Sequence, residues 1–485
     1  MILSIDQSTA ATKALLWGMD GTLLARTDVP HRQITNKMGW VEHDPMEIYE
    51  NTLEAVRRVI AGRSAGEIAV IGLCNQRETA VCWDMRTGLP LYNAVVWQCG
   101  RAADVVQEIR EAGLEAEVWQ RTGLLLSPYF SAAKWGWMSR HSPEVAQAKG
   151  RGTLCCGTVD SWLLFKLTGV FKTDYTNASR TQLMDLHTLM WDAELVEAFG
   201  VGCLPEIVMS DSLFGLTRLD GILPRLVPIH CVMGDSHAAL FGNQCWEPFT
   251  AKATYGTGSS VMVNAGTVCP TPGAGIAASV AWGIGGQIEY VLEGNINNTG
   301  SVIKWITEGI GLLPDVKCAG TLSTSVEDTG GVYLVPAFTG LGAPYYNSDA
   351  RAAFLGMNSG TRKAHLVRAA EEAIAYQIRD VVEAVGESSP LSLLRVDGGP
   401  TRDEFLMQFQ ADILGIPLEV NRTEELSSMG VAYCAAIGAG IADRESIFAG
   451  QQRRVVMPQM GEEQREALYT GWKNAVGIIN RRAER

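Results

Sequence analysis

Apolar residues open the chain in short runs, Ile2 to Ile5, Ala14 to Trp17 and Thr22 to Ala25, separated by a polar turn and by Asp20-Gly21. Runs this short, punctuated by turn formers, predict a meander of paired strands. The period then changes. Met46 to Ile60 carries apolar positions at helical spacing, and Ile68 to Cys74 is a continuous apolar run. A striped helix followed by a buried strand is the unit of an α/β layer. Midway the opening device returns: Ala251 to Tyr255 leads into Gly256-Thr257-Gly258 and resumes at Ser260 to Asn264. The recurrence is too degenerate to be a sequence repeat, yet it predicts two halves of related build joined near Leu240 to Glu247. The second half continues with a strand at Leu394 to Val396, a turn at Asp397 to Pro400 and a helix from Arg402 to Leu414. It closes with the small-residue stretch Met429 to Ala439, expected to be a closely packed helix, and a basic end near Arg481, read as a solvated helix end.

Length supports that division, since 485 residues exceed one ordinary core and suggest two or three domains. With 47% hydrophobic and 19% charged residues the chain can bury substantial cores. The formal charge of −13 opposes a phosphate backbone and sets nucleic acid aside as a main partner. A nucleotide stays in play, because a triphosphate is held by backbone N–H groups, a metal ion and one or two cations. No stretch reaches the ~20 apolar residues that span a bilayer, and Met1 to Lys13 lacks the basic and apolar regions of a secretion signal. A cytoplasmic protein without a membrane partner is therefore expected. The 11 cysteines are scattered and read as buried free thiols, and the adjacent Cys155-Cys156 offers poor geometry for zinc.

Five segments carry candidate chemistry. Asp6 to Lys13 sets a carboxylate at a strand end, then the small and hydroxyl residues Ser8, Thr9, Ala10, Ala11 and Thr12, then a cation. Such a hairpin lets backbone N–H groups approach phosphate, and its carboxylate can hold Mg²⁺ through water; an ordinary surface turn has the same composition. Thr254 to Ser259 is a second hairpin of this kind, and Asp397-Gly398-Gly399 offers flexible backbone and a helix N-terminus to a nucleotide. Gly234-Asp235 follows the apolar run Val227 to Met233, so Asp235 stands at a strand end as a general base for a hydroxyl, or as a helix N-cap. His237 beside it reads as structural. Asn75 to Thr79 places Arg77 and Glu78 directly after a buried strand, a donor and an acceptor side by side for a polyhydroxylated ligand, with Trp97 and Tyr129 as aromatic walls or as core residues.

Taken in order, these segments resemble the FGGY family of carbohydrate kinases, and within it the glycerol kinase branch. Further blocks in register are Tyr92 to Cys99, Gly157 to Leu164, Thr173 to Thr181, Pro336 to Tyr345 and Phe405 to Leu414. The resemblance implies two actin-like (ribonuclease H-like) ATPase domains around a cleft: residues 1–242 binding the sugar or polyol and residues 243–485 binding the nucleotide. It implies ATP and Mg²⁺, with Asp235 as general base and Asp6 and Asp235 as carboxylates on the metal side. It places Thr9, Ala10, Ala11, Thr12, Lys13, Thr257, Gly258, Gly300, Lys304, Gly398, Gly399 and Asp403 on ATP. It places Arg77, Glu78, Trp97, Tyr129 and Asp235 on the acceptor, with Ser236 and Ser260 in the same pocket.

Two departures bear on the acceptor. Ser236-His237 stands where glycerol kinases carry Gln-Gln, and Ser260 where they carry an aromatic residue, usually Phe. Both changes remove volume, which points toward a longer polyol or a ketose unless neighbours fill the space. On the nucleotide side Ala10 and Ala11 replace hydroxyl residues, and Lys304 and Asp403 replace Gln and Asn. The expected function is ATP-dependent phosphoryl transfer to a hydroxyl of a small polyol or sugar. The alternatives are a kinase for a tetritol, pentitol or ketopentose, and a non-catalytic actin-like nucleotide-binding protein. A homodimer or higher homo-oligomer is compatible with this reading.

Overall fold

The computed structural model describes residues 1–386 and 391–481. The basic end near Arg481 continues into residues 482–485, which lie outside the described residues. The first half holds strands β1 (Ile2–Gln7), β2 (Ala11–Trp17) and β3 (Leu23–Pro30), helix α1 (Pro45–Val59), strands β4 (Val70–Asn75), β5 (Gly215–Thr217) and β6 (Val227–Gly234), and helix α2 (Asp235–Gly242). Asp44 starts α1 by accepting the Met46 N–H at 2.8 Å. The strands lie in the order β5-β6-β4-β1-β2-β3, with β1, β4 and β6 parallel and β1-β2-β3 an antiparallel meander. The meander is the one the sequence predicts. Its third strand runs on to Pro30 because it is a largely exposed edge strand with no apolar run to mark its end.

The second half repeats this plan. It contains β7 (Ala251–Tyr255), β8 (Ser259–Gly266), β9 (Ala277–Ile284), β10 (Gln287–Ile296), helices α3 (Gly300–Lys304) and α4 (Lys363–Val385), β11 (Leu394–Gly398), α5 (Glu404–Leu414), β12 (Leu418–Asn421), α6 (Leu426–Gly438), β13 (Arg453–Val456) and α7 (Glu462–Arg481). Its order is β9-β10-β8-β7-β11-β12-β13. Five strands of each sheet therefore correspond: β3-β2-β1-β4-β6 and β10-β8-β7-β11-β12, with the same directions. The expected helix from Arg402 begins instead at Glu404, after a 3₁₀ turn over Gly399–Arg402 capped by Asp403.

Helix α6 belongs to the second half by chain order but packs on β1, β4 and β6 of the first. It crosses α2, and small residues set the distance: a Cβ on Gly430 would lie 2.0 Å from the Ala238 carbonyl oxygen, and one on Gly242 would lie 2.5 Å from that of Leu426. A Cβ on Gly72 of β4 would meet the Val431 carbonyl oxygen at 2.3 Å. One buried apolar cluster accordingly draws Ile2, Trp17, Met233 and Leu240 from one half and Met429, Val431 and Tyr433 from the other.

Candidate active site

Strand register builds the site. Gln7 and Gly234 both pair with Asn75, so β1, β4 and β6 end in one row and Asp6, Gln76 to Glu78 and Asp235 emerge together at their C-terminal edge, where an open α/β sheet leaves a crevice. In the other half Thr254 and Tyr255 pair with Asp397 and Gly398, which brings the Gly256–Gly258 turn beside the Gly398-Gly399 turn.

Asp235 is the first residue of α2, with Gly234 at the cap position, and its Oδ1 accepts the Ser236 N–H at 2.7 Å. Its side chain is 34% exposed, and the Arg77 Nε lies 3.5 Å away. Burial within the cleft walls raises its pKa, offset in part by Arg77 and reinforced by Asp6. Asp6 is likewise raised, chiefly by burial, with Lys13 at 3.6 Å opposing. The first turn of α6 closes this floor: Ser427 donates to the Asp235 carbonyl at 2.9 Å and Ser428 reaches Asp6 at 3.4 Å.

Arg77 is buried, and its guanidinium forms a two-pronged pair with Glu293, at 2.9 and 2.8 Å. Sequence reasoning gave it acceptor oxygens alone; most of its donors are already engaged by a carboxylate from the opposite half. Glu78 sits at φ +59°, a conformation that side chains rarely adopt, and accepts from Arg180 Nε at 2.6 Å. Arg180 also lies 3.0 Å from Glu293 and stacks over Phe130. Ser260 donates to Glu293 at 3.0 Å. Burial alone would raise Glu293, but Arg180 and Arg77 outweigh it and hold the carboxyl well below its usual range. Arg77, Glu78, Asp235 and Ser260 are thus joined in one chain with Arg180 and Glu293.

Trp97 and Tyr129 are half-buried and meet edge to face at 5.6 Å, with the Trp97 indole donating to Thr9 Oγ1 at 2.9 Å. Buried Lys134 holds the carbonyls of Tyr129 and Phe130, and burial pulls its pKa down to about 7. Ser236 remains partly exposed beside Asp235. His237 is fully buried, reaches Ser279 at 3.3 Å and is held neutral by burial and by Arg77.

On the nucleotide side, the Ser8–Ala11 turn is closed by Ser8, which donates to the Ala11 carbonyl at 2.8 Å; Ala10 at its tip is exposed and Thr12 is buried. Lys13 pairs with Glu425 at 3.0 Å. Thr257 is exposed, and its carbonyl accepts from Ser301 at 3.1 Å, tying the turn to the start of α3, where Gly300 donates to Gly256 at 2.9 Å. A Cβ on Gly258 would lie 2.3 Å from the Ile296 carbonyl oxygen, and one on Gly398, at φ +101°, 2.0 Å from that of Tyr255. At Gly399 a Cβ would meet nothing within 4 Å. A cavity of about 610 Å³ opens here, lined by Gly398, Gly399, Arg402, Asn421 and Arg422. Lys304 is exposed beside Glu308, and Asp403 caps α5 while accepting from Gly320 at 3.1 Å. Neither touches the chain around Arg77.

Sequence reasoning gave no role to Arg180, Glu293, Lys134 or Glu425. Arg180 stands within the block Thr173 to Thr181, and Glu293 directly follows the apolar run Tyr290 to Leu292. A charge on the buried part of a strand was the available signal. Among the described residues no group of three or more His, Cys, Asp or Glu side chains could hold a metal ion, and no helix is long and apolar enough to cross a membrane.

Comparison with known proteins gives the family. Residues 1–242 match the N-terminal domain of the FGGY family of carbohydrate kinases, and residues 251–439 its C-terminal domain. The chain is 47% identical to glycerol kinase 1 of Thermotoga maritima and 42% identical to the glycerol kinase of Caldanaerobacter subterraneus, over 98% of this chain and 98% and 97% of theirs. A crystal structure of Plasmodium falciparum glycerol kinase with ADP superposes with a TM-score of 0.92 at 35% identity, covering 99% of this chain and 98% of that one. A xylulose kinase from Lactobacillus acidophilus shares the fold, with a TM-score of 0.89 at 21% identity, over 99% of this chain and 97% of that one.

Proposed function

The chain belongs to the FGGY family of carbohydrate kinases, ATP-dependent enzymes acting on an alcohol, and from that premise we propose that glycerol is the acceptor and the cytoplasm its place of work. The observation that carries the mechanism is Asp235, partly exposed at the end of β6 with Arg77 beside it and placed at the first helical position, not at the cap. Asp235 takes the proton of the attacking hydroxyl as the γ-phosphoryl group is transferred in line. Arg77 and Glu78 fix the acceptor's hydroxyls, and Trp97 and Tyr129 offer apolar faces to its C–H surface. The backbone of Ser8–Ala11 and Gly256–Gly258, with Lys13, grips the phosphates from opposite halves. Asp6 and Asp235 suit Mg²⁺, which asks for few protein carboxylates and keeps several waters; bound there it neutralises charge on the transferring group. Gly300, Lys304, Gly399 and Asp403 lie along the edge that would take the adenosine.

A second reading, a longer polyol or ketose, is favoured by one feature: Ser236 and Ser260 leave less side-chain volume than Gln and Phe would. The bond from Ser260 to Glu293 weakens that reading, because it makes the serine part of the ion-pair chain. The test is kcat/KM for glycerol, erythritol, pentitols and ketopentoses at fixed ATP and Mg²⁺. Glycerol is expected to lead; a longer acceptor ahead by tenfold or more, about 1.4 kcal/mol, would replace it.

A further inference from the structure

Glu293 stands on β10 of the second half, is wholly buried, and is paired with two arginines of the first. A lone carboxylate inside an apolar strand is costly unless paired and hydrogen-bonded, and the ion-pair partners of Glu293 come from the other half. Two hydrogen bonds from Arg77 and one from the Ser260 hydroxyl satisfy its oxygens, Arg180 adds a second positive charge at 3.0 Å, and the fork fixes Arg77 in one orientation. With both terminal nitrogens of Arg77 on Glu293, the Nε edge is left toward Asp235 at 3.5 Å and toward Glu78 at 4.0 Å.

We propose that Glu293 is a positioning residue of the acceptor site, holding Arg77 against the second domain so that the site is complete only when the two halves are closed on each other. The inference rests on the reading that Arg77 binds the acceptor. Arg180 serves the same end from the other side: by bridging Glu293 and Glu78 it ties the second acceptor-side residue to the same carboxylate. Ser260 acts through Glu293 in this scheme, and a change there alters acceptor binding by loosening the fork as well as by volume.

Glu293→Asp keeps the charge but withdraws it by one methylene, so the fork can no longer reach Arg77, Arg180 and Ser260 together. Glu293→Gln keeps the length and removes the charge. Steady-state kinetics of both, beside Arg77→Lys, are read with glycerol or whichever acceptor leads the panel, and thermal unfolding is followed in parallel. Glu293→Asp is expected to raise the acceptor KM by roughly tenfold or more while the ATP KM stays within about twofold, with a melting temperature lowered by the loosened buried pair. Glu293→Gln is expected to lose more, with a melting temperature lower still. The double variant Arg77→Lys/Glu293→Asp should cost little beyond the worse single change, because both act through one fork. An acceptor KM raised by Arg77→Lys but untouched by Glu293→Asp overturns the positioning role and leaves the acceptor reading standing. If neither changes it, the acceptor reading of Arg77 fails. A parallel rise of both KM values in Glu293→Asp reduces the residue to a structural ion pair.

Discussion

Asp235 owes its chemistry to a balance. The cleft walls raise its pKa, Arg77 opposes, and Asp6 adds to the rise. A carboxyl whose folded-state pKa is raised loses its base function as pH falls through that higher value. The acid limb of kcat/KM is therefore expected above the 3.8 of an ordinary aspartate. Replacing Arg77 by Met removes the opposing charge and should carry that limb further up; a limb that stays put would mean another group titrates. Asp235→Asn is expected to lower kcat by about 10² to 10⁴ with nucleotide binding largely intact, measured by turnover and by nucleotide titration. Near-normal turnover would remove Asp235 from the chemistry. Arg77 is harder to test alone, because truncation leaves Glu293 buried without its fork, and breaking a buried pair costs about 3–5 kcal/mol.

At the scale of elements, the crossing of α2 and α6 decides the cleft. The same α6 turn whose serines reach Asp6 and Asp235 is held against α2 by contacts that leave no room at Gly430. Gly430→Ala must drive the helices apart, and overpacking of this kind costs about 1–3 kcal/mol or more. Urea unfolding should show the loss, together with a fall in kcat because the floor of the site moves. Gly477, inside α7, is the control: an added Cβ meets nothing within 4 Å, so Gly477→Ala should gain about 0.5–1 kcal/mol from helix propensity. A Gly430→Ala protein as stable as the parent would contradict the close crossing.

For the molecule as a whole, the Arg77–Glu293 pair, the Lys13–Glu425 pair and the α6 packing all link the two halves. Two related domains this tied are expected to unfold in one transition. A ligand that binds only the closed form adds about 2.7 kcal/mol at 100 times its Kd, so saturating acceptor should raise the midpoint of that single transition. Calorimetry that resolves two transitions, with acceptor shifting only one, would show the halves to be thermally independent.

How much of this was legible in the chain follows from where each signal is carried. The opening meander, its counterpart at Ala251 to Asn264 and the small-residue helix could be read, because strand pairing and close packing leave local patterns of short apolar runs, turn residues and small side chains. The acid at Asp235 and the Arg77-Glu78 pair could be singled out because they follow apolar runs directly, and strand ends are where an α/β sheet places its ligands. Their roles remained open there: a base and a helix cap look alike in sequence, and only the observed helix start separates them. The edge strand to Pro30 left no mark because an exposed strand needs no apolar run. Arg180 lies 102 residues from Glu78, and Glu293 lies 216 residues from Arg77, so no local pattern links them. Ser260 looked like lost volume and proved to be a donor to that buried carboxylate. The sequence determined which groups stand at the ends of the strands; only the docking of two sheets through α6 decided which charges meet, because ion pairing depends on distance in space, and in this chain that distance is set by packing between halves.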